Sequence, residues 1–322
     1  MPVIRSIHAN LNVLLAHKDS RSIDIALDTI DLAKIYENVD KLEQENKDPN
    51  LGYDDLVVKE LLRYFKHDFF KWINSPDCPC GSDKVISKGA SRFPSNTSNP
   101  HKISIVEVYQ CEKCKQRVEF PRVNNPLSLL AFRKGRCGEW VNAFLLLLEA
   151  LIGEGKDRTR YVMNHEDHVW CEYFSYNLKR WVHLDPCEAV FDEPLLYCNN
   201  WGKQMSYVIG FNANSVVDLS GKYITKEKQI PQSSIVDPNL VAKTIRWING
   251  QKLQQLYNSY RMMQNKTEDQ SLIQLYNDAI VPRNHELLNE TETFKPTTSH
   301  SEIPQGRQTG SSEWTKARGE SG

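Results

Sequence analysis

The residues of this chain best suited to chemistry are a cysteine, a histidine and an aspartate in three short blocks. Cys137 lies in Gly135–Trp140 (GRCGEW) and opens an apolar segment, Val141–Ile152, that predicts a helix. A cysteine at a helix start lies at the positive end of the helix dipole, which favours thiolate over thiol. A later histidine and aspartate would add a base and an orienting group. The set predicts an enzyme of acyl transfer.

Three histidines compete for the role of base: His165, His168 and His183. If residues 168–176 and 179–184 form a hairpin, His168 lies diagonal to Asp185 on one face, and a four-residue loop preserves that pairing. His183 shares this face, opposite Glu172, so the pairing favours His168 without excluding His183. We interpret His183 as a hydrogen-bonded strand residue, and His165 precedes the strand in a predicted turn.

The alternative for Cys137 is a small buried residue at a helix start. Against this, Gly135 and Gly138 flank the thiol and suit close approach of a substrate carbonyl to the backbone. From the residues alone, we expect thiol acyl transfer with no substrate specified.

A second cysteine set predicts a metal site: Cys78, Cys80, Cys111 and Cys114. Two pairs about thirty residues apart, each on a predicted turn, resemble the knuckles of a zinc ribbon, and four thiolates suit one structural zinc ion per chain. The alternatives are four unrelated cysteines or a redox pair at Cys111 and Cys114. Because Cys78 and Cys80 are one residue closer than in CxxC, we expect weaker zinc binding or an imperfect ligand at Cys80.

The bulk composition excludes several classes of protein. The 322 residues include 40 Lys plus Arg and 41 Asp plus Glu, so the net charge of −1 does not indicate binding to nucleic acid or to a membrane surface. No signal peptide or membrane-spanning run is visible. We expect a soluble intracellular protein, in which the remaining cysteines, Cys171, Cys187 and Cys198, are small core residues.

Periodicity predicts the elements that position these residues. Helices are expected at 20–46, 54–72 and 241–263, the first two as buttresses or partner-binding faces. Strands are expected at 84–88, 102–110 and 117–120 in the cysteine-bearing insert, at 158–163, 168–176 and 179–184 after the helix of Cys137, and at 205–211 and 216–219. Residues 290–322, rich in Ser, Thr, Gly and Pro, are predicted to be a disordered tail.

Five blocks make residues 55–225 resemble the cytoplasmic peptide:N-glycanases, in their compact fungal form. These blocks are Gly135–Trp140, Arg160–Val162, Glu166–Tyr173, Arg180–Asp185 and Met205–Tyr207. The resemblance implies an α+β fold, with a transglutaminase-like (papain-related) core, a zinc-ribbon-like subdomain that forms one wall of the cleft, and flanking N- and C-terminal helices.

The resemblance also implies the site and the reaction. The family's catalytic cysteine, histidine and aspartate fall on Cys137, His168 and Asp185, which selects His168 among the three histidines. The reaction is hydrolysis of the amide between the innermost N-acetylglucosamine and asparagine, releasing the glycan and leaving aspartate. The residues that hold the chitobiose core fall on Trp72, Trp170, Trp181 and Glu188, for which core packing is the alternative. Residues 153–157 resemble an insertion.

On this basis we expect five regions: an N-terminal helical region (1–75), a zinc-binding subdomain (76–122), a transglutaminase-like catalytic core (123–225), a C-terminal strand and helix region packing on the core (226–289) and the tail (290–322). The expected substrates are misfolded N-glycoproteins in ER-associated degradation, in the cytoplasm and also the nucleus. A proteasome-shuttling ubiquitin receptor is the expected partner, on helices 20–46 and 241–263. The alternatives are a transglutaminase or cysteine protease of the same fold, or a non-catalytic partner-binding module.

Overall fold

A computed structural model describes residues 1–153, 157–264, 270 and 304–322 of the chain. The fold combines helices with three separate sheets. Its helices are α1 (Pro2–Asn10), α2 (Ser20–Thr29), α3 (Leu32–Glu45), α4 (Tyr53–Tyr64), α5 (Pro126–Phe132), α6 (Cys137–Ile152), α7 (Leu196–Asn199), α8 (Ser220–Tyr223), α9 (Pro238–Gln264) and α10 (Ser312–Ala317). Its strands are β1 (Lys71–Trp72), β2 (Val85–Arg92), β3 (Ile105–Cys111), β4 (Arg117–Pro121), β5 (Lys134–Gly135), β6 (Thr159–Asn164), β7 (His168–Ser175), β8 (Arg180–Asp185), β9 (Val190–Phe191), β10 (Val208–Phe211) and β11 (Val216–Asp218).

The predicted helix at 20–46 is two helices, because the chain turns at Ile30 and Asp31. Asp31 caps α3 by accepting a hydrogen bond from the backbone N–H of Lys34 at 3.0 Å. An Asp inside a predicted helix therefore marks the start of a new one. The second predicted helix ends at Tyr64, and after one π-helical turn (Phe65–Phe69) the chain becomes β1.

Helix α6 lies at the centre of the core. Its residues 143–148 are fully buried, which matches a segment that is apolar on every face. It packs against a six-stranded antiparallel sheet in the order β11-β10-β6-β7-β8-β9. Cys137 is the first residue of this buried helix, so the core fixes the position of its backbone.

The hairpin of β7 and β8 has the predicted pairing. Glu172 lies opposite His183, and Ser175 pairs with Arg180 across a four-residue loop. The predicted pairing is therefore confirmed. Since the side-chain period of a strand is two, this pairing directs His168 and Asp185 to the same face.

The cysteine-bearing insert forms its own three-stranded antiparallel sheet, in the order β2-β3-β4. A small apolar cluster holds it together around Cys78, Tyr109, Cys111 and Val118. In a third, two-stranded sheet, β1 pairs in parallel with β5, and Trp72 lies opposite Gly135. The segment before the insert is thereby tied to the segment that leads into Cys137.

The predicted disordered tail is wrong for residues 304–322, which are ordered against the core. Ser311 caps α10, and the side chains of Arg307 and Glu320 are fully buried. Charged and aromatic side chains anchor this segment, although its composition is typical of disorder. Residues 290–303 lie outside the described part of the chain. Among the helices that the structure describes, none is long and apolar enough to cross a membrane.

Candidate active site

The start of α6 holds Cys137 through its two neighbours, Arg136 and Glu139. The carboxylate of Glu139 accepts a hydrogen bond from the backbone N–H of Arg136 at 3.1 Å and closes the first turn. The Trp140 indole donates to the carbonyl of Gly135 at 3.2 Å. These contacts fix the backbone on both sides of Cys137, which is half-buried.

An ion-pair network connects this helix start to the cysteine-bearing insert. Arg136 contacts the carboxylate of Glu107 on β3 at 2.9 Å, and Arg122 pairs with both Glu107 (2.9 Å) and Glu139 (2.7 Å). The insert therefore braces the residue next to Cys137. Sequence reasoning missed this role, because charged residues in a polar insert gave no signal of their partners.

His168 and Asp185 form a buried pair beside Cys137. Nε2 of His168 lies 3.0 Å from Oδ2 of Asp185, and the two residues are 1% and 0% exposed. The other ring nitrogen, Nδ1, has no hydrogen-bond partner among the described protein groups. Asp185 also accepts hydrogen bonds from the backbone N–H of Cys187 at 2.9 Å and from the Tyr197 hydroxyl at 3.0 Å. The carboxylate is therefore fixed before any substrate binds.

The electrostatics favour a thiolate and an imidazolium. Burial opposes ionisation of Cys137, but the interaction with His168 outweighs it and lowers the pKa of the thiol. Burial and the Arg307 cation both act to lower the pKa of His168, yet the contacts with Asp185 and Cys137 raise it. The pKa of Asp185 lies well below its usual range, since its hydrogen bond to His168 outweighs burial. Both shifts therefore favour the thiolate–imidazolium form of the pair.

The two rival histidines have other partners. His183 contacts the Tyr197 hydroxyl at 2.8 Å and the backbone N–H of Glu193 at 3.2 Å, and burial lowers its pKa to about 4. His165 lies in the turn before β7, where its backbone N–H donates to Tyr207. His168 is therefore the histidine that pairs with Asp185 and interacts with Cys137, whereas His183 is a neutral, hydrogen-bonded strand residue.

The four cysteines of the insert converge as a metal site would require. Their sulfur atoms lie within 4.8 Å of one another, with Sγ separations of 3.4 Å between Cys78 and Cys114 and 3.6 Å between Cys80 and Cys111. Tetrahedral zinc with Zn–S bonds of about 2.3 Å needs sulfur separations of about 3.8 Å, so the donor set fits. Gly81, at φ +79°, makes the tight turn that brings Cys80 into the cluster despite its close spacing.

Two family models match the chain: the Rad4 transglutaminase-like domain over residues 151–273 and the transglutaminase-like superfamily over residues 89–186. The peptide-N(4)-(N-acetyl-beta-glucosaminyl)asparagine amidase of Candida albicans is 51% identical, over 100% of this chain and 86% of the relative. The amidase of the same name from Saccharomyces cerevisiae is 40% identical, over 92% of this chain and 80% of the relative. The chain belongs to this amidase family.

These matches confirm the predicted family, the prediction of an enzyme and the transglutaminase-like fold of mixed helix and sheet. The protein is also similar to a chain from the crystal structure of Rad4–Rad23 crosslinked to an undamaged DNA. The alignment covers 96% of this protein and 59% of that chain, at 12% identity and a TM-score of 0.46. That likeness is too distant to indicate a shared ligand.

For two of the sugar-binding residues that the amidase family implies, the structure gives a correction. Trp170 is 0% exposed and packs against Tyr197 at a ring distance of 4.3 Å. Trp181 is 2% exposed, with the Arg160 guanidinium 3.7 Å from its ring. Neither indole presents a face to solvent, so both are core residues, as the alternative interpretation had it. The alternation of a strand does not show which face other elements cover.

The other two residues, Trp72 and Glu188, are partly buried and contact the C-terminal segment. Trp72 is half-buried and packs edge-to-face on Trp314 at 5.4 Å. The carboxylate of Glu188, which is only 5% exposed, accepts hydrogen bonds from the backbone N–H groups of Thr309 at 3.0 Å and Gln308 at 3.1 Å. Glu188 is therefore already engaged by the protein itself.

A cavity of about 910 Å³ lies beside Trp72. The strand residues Val118–Pro121 line it from the insert, and Leu129 and Phe132 line it from α5. The insert thus forms one wall of a cavity next to the predicted sugar-binding tryptophan. The sequence between residues 153 and 157, which resembles an insertion, lies mostly outside the described residues. Its last residue, Asp157, accepts hydrogen bonds from the backbone N–H groups of Ala213 and Asn214, both at 3.0 Å.

Proposed function

We propose that this protein hydrolyses the amide bond between the innermost N-acetylglucosamine and asparagine in glycopeptides and glycoproteins, with Cys137 as the nucleophile. The observation that carries the proposal is the position of Cys137, at a helix start beside the buried pair of His168 and Asp185, 3.0 Å apart. The names of the relatives, at up to 51% identity, supply the substrate class. The buried pair supplies the chemistry.

In the first step, the Cys137 thiolate attacks the side-chain carbonyl carbon of asparagine. A C–S bond forms, and the carbonyl electron pair moves to oxygen. The first N–H groups of a helix have no partner within the helix, so the backbone N–H of Cys137 is available to that oxyanion. As the intermediate collapses, the C–N bond breaks, and the His168 imidazolium donates its proton to the departing glycosylamine nitrogen.

In the second step, water cleaves the thioester. Neutral His168 takes a proton from the water as it attacks, the C–S bond breaks, and Cys137 leaves as a thiolate. The product side chain is aspartate. Throughout, Asp185 holds the ring orientation and stabilises the imidazolium without becoming protonated, which agrees with its lowered pKa.

We propose that the metal held by Cys78, Cys80, Cys111 and Cys114 is zinc in a structural role. Four sulfur ligands fill a tetrahedral site and leave no position for substrate. The metal would fix the insert, whose Glu107 braces Arg136 next to Cys137. The expected content is one zinc ion per chain, and substitution of Cys80 by Ser should lower it.

The cellular role belongs to the proposal as well. We propose that the substrates are misfolded N-glycoproteins in ER-associated degradation, in the cytoplasm and nucleus, and that a proteasome-shuttling ubiquitin receptor docks on the terminal helices. Trp247 on α9 is 61% exposed, and tryptophan is enriched at protein interfaces, which makes it the residue of choice for a test. Replacing Trp247 with Ala should weaken capture of such a receptor while leaving release of glycan from a peptide unchanged.

The direct test compares two cysteine substitutions in release of glycan from a denatured glycopeptide. Cys137→Ala should abolish release, whereas Cys198→Ala, a change at a buried cysteine outside the site, should retain it. Circular dichroism of both variants checks that the fold persists. Release that survives Cys137→Ala would rule out the proposed nucleophile.

A further inference from the structure

The C-terminal segment, residues 305–322, is built into the wall of the active site. The backbone N–H of Gly306 donates to the carbonyl of Asn200 at 2.8 Å, and that of Gly322 donates to Trp201 at 3.2 Å. The Thr309 hydroxyl donates to the carbonyl of Cys187 at 2.6 Å. Since the N–H of Cys187 bonds to Asp185, the segment contacts the loop that fixes the catalytic carboxylate.

Within this segment, Arg307 is a fully buried cation. Its guanidinium lies 4.7–5.1 Å from the ring centres of three tryptophans, Trp72, Trp201 and Trp314. Its one close ion pair in the described chain joins Nη1 to Oε2 of Glu320 at 2.8 Å, and Glu320 is equally buried. Aromatic faces suit a guanidinium but carry no full charge, so they do not neutralise it.

One edge of Arg307 has no hydrogen-bond partner. Its Nε and Nη2 groups are buried and donate to no protein atom of the described chain. The carboxylate of Glu188 lies 3.8 Å from Nε, which is too long for a hydrogen bond. The positive charge of Arg307 is therefore only partly compensated by the groups around it.

Two of the rings around Arg307 connect it to helix α6 and to His168. Trp72 contacts Trp140 of helix α6, three residues after Cys137, at a ring distance of 6.2 Å. Trp201 contacts the His168 ring at 5.0 Å. A buried charge in this position acts on both groups with little screening by water.

We propose that Arg307 is a positioning residue of the active site, whose buried charge sets the pH range over which Cys137 and His168 form a thiolate–imidazolium pair. A cation stabilises the thiolate and destabilises the imidazolium. The cation therefore lowers the pH at which the Cys137 thiolate forms, and it also lowers the pH at which the His168 imidazolium loses its proton. Arg307 indeed acts to lower the pKa of both Cys137 and His168.

Several other charged groups face this site from neighbouring elements, and Glu320 is the one that directly opposes Arg307. The pKa of Glu320 is lowered to about 2, because His168, Arg307 and Lys203 outweigh its burial. The remaining charged or titratable groups near the pair are Asp185, Asp167, Arg318, Lys203, Glu188, Lys66, Cys187, Arg122 and Tyr161. Since Arg307 and Glu320 carry opposite charges, their removal must have opposite effects.

The test measures alkylation of Cys137 by iodoacetamide as a function of pH, with mass spectrometry to follow this one cysteine. Arg307→Gln should slow alkylation on the order of tenfold at about pH 6, because less thiolate is present. Glu320→Gln should accelerate alkylation at that pH, and Arg307→Lys should stay near the wild type. In release of glycan from a glycopeptide, both limbs of the pH profile of kcat/KM should move upward in Arg307→Gln and downward in Glu320→Gln.

Thr309→Val is the matched control, because it loosens the same segment without changing a charge. Its activity should fall, but the pH values at which kcat/KM rises and falls should not change. The proposal would be overturned if the limbs of the pH profile did not move in Arg307→Gln. It would also be overturned if they moved in the same direction in Arg307→Gln and Glu320→Gln. If Arg307→Gln does not fold, an unchanged pH profile in Glu320→Gln overturns it equally.

The role of Arg307 rests on the proposed function only because that function makes Cys137 the nucleophile. The alkylation measurement itself needs no glycopeptide. A shifted alkylation profile in a protein that releases no glycan would therefore count against the proposed function and leave the role of Arg307 standing. The reverse result, glycan release with unshifted profiles, would count against Arg307 alone.

Discussion

His168 and His183 lie on neighbouring strands of one sheet and on the same face of it. Their exposed fractions are 1% and 0%. They nevertheless differ in the direction in which their pKa values are shifted. The Asp185 carboxylate and the Cys137 thiol raise the pKa of His168 against its burial, whereas burial lowers the pKa of His183 to about 4. The comparison shows that burial by itself makes a histidine neutral, and that direct contact with groups of opposite charge reverses this.

The two histidines are connected through Tyr197. Nδ1 of His183 accepts a hydrogen bond from the backbone N–H of Glu193, so its single proton lies on Nε2 and points to the Tyr197 hydroxyl. That hydroxyl then donates to Asp185, the partner of His168. The neutral histidine thus orients the hydroxyl that supports the charged one.

The largest expected effect separates the two histidines by function. His168→Gln should reduce the rate of glycan release by about 10⁶-fold, because the proton donor and base is lost. His183→Gln is the matched control and should cost about tenfold or less, the value of one hydrogen bond. Rates of both variants on one glycopeptide make the comparison, and equal losses would contradict it.

Removing the charge that distinguishes the two environments should have the next largest effect. Asp185→Asn keeps the shape of the side chain but leaves His168 with the chemistry of a buried neutral ring, and the rate should fall by about 10⁴-fold. Thiol alkylation at neutral pH should slow in parallel, since the imidazolium no longer stabilises the thiolate. An Asp185→Asn variant of near-normal rate would show that Asp185 does not set the charge of His168.

The third prediction concerns stability and His183 alone. Its pKa is about 4 in the folded protein, against an ordinary histidine pKa of 6.5, so the unfolded chain binds the proton more tightly. The contribution of neutral His183 to the free energy of unfolding is fully present above pH 6.5. It is lost as the pH falls to about 4, and the total loss is about 3 kcal/mol. His183→Gln should flatten the free energy of unfolding over that range in urea titrations. A dependence as steep as that of the wild type would mean that His183 is charged in the folded state.

The smallest expected effect comes from breaking the connection between the two regions. Tyr197→Phe removes the hydroxyl that Asp185 accepts at 3.0 Å and leaves the ring contacts in place. One hydrogen bond to a charged group corresponds to a loss of about tenfold in kcat. The value of KM should remain near that of the wild type, because Tyr197 is fully buried. A change in KM alone would place Tyr197 in the binding surface instead.

Local patterns were sufficient to predict the helix and the hairpin that carry Cys137, His168 and Asp185. The apolar run after Cys137 indicated a helix, and alternation along residues 168–176 and 179–184 indicated a hairpin whose pairing the structure confirms. Both signals come from residues close in sequence. The choice of His168 over His183 needed the family resemblance, because both histidines satisfy the pairing of the strands.

Features that depend on distant contacts were not predicted. The alternation of a strand does not show that Trp170 and Trp181 are covered on their outer side, and the composition of residues 304–322 gives no sign that Arg307 and Glu320 pair inside the core. The break between α2 and α3 was missed because Asp31 reads equally well as a solvent-facing helix residue. For the tryptophans and for Arg307 and Glu320, the deciding partner lies far along the chain or on another element, whereas the cap at Asp31 is local and was simply not recognised.

The most direct test of the central claim, that Cys137 hydrolyses the glycan–asparagine amide, is the mass of the peptide product formed in water labelled with heavy oxygen. We predict an intact released glycan and a peptide whose asparagine has become aspartate with one heavy oxygen atom in its side chain, and no such product from Cys137→Ala. A peptide that keeps asparagine with one N-acetylglucosamine, or a cleaved peptide backbone, would contradict this role of Cys137.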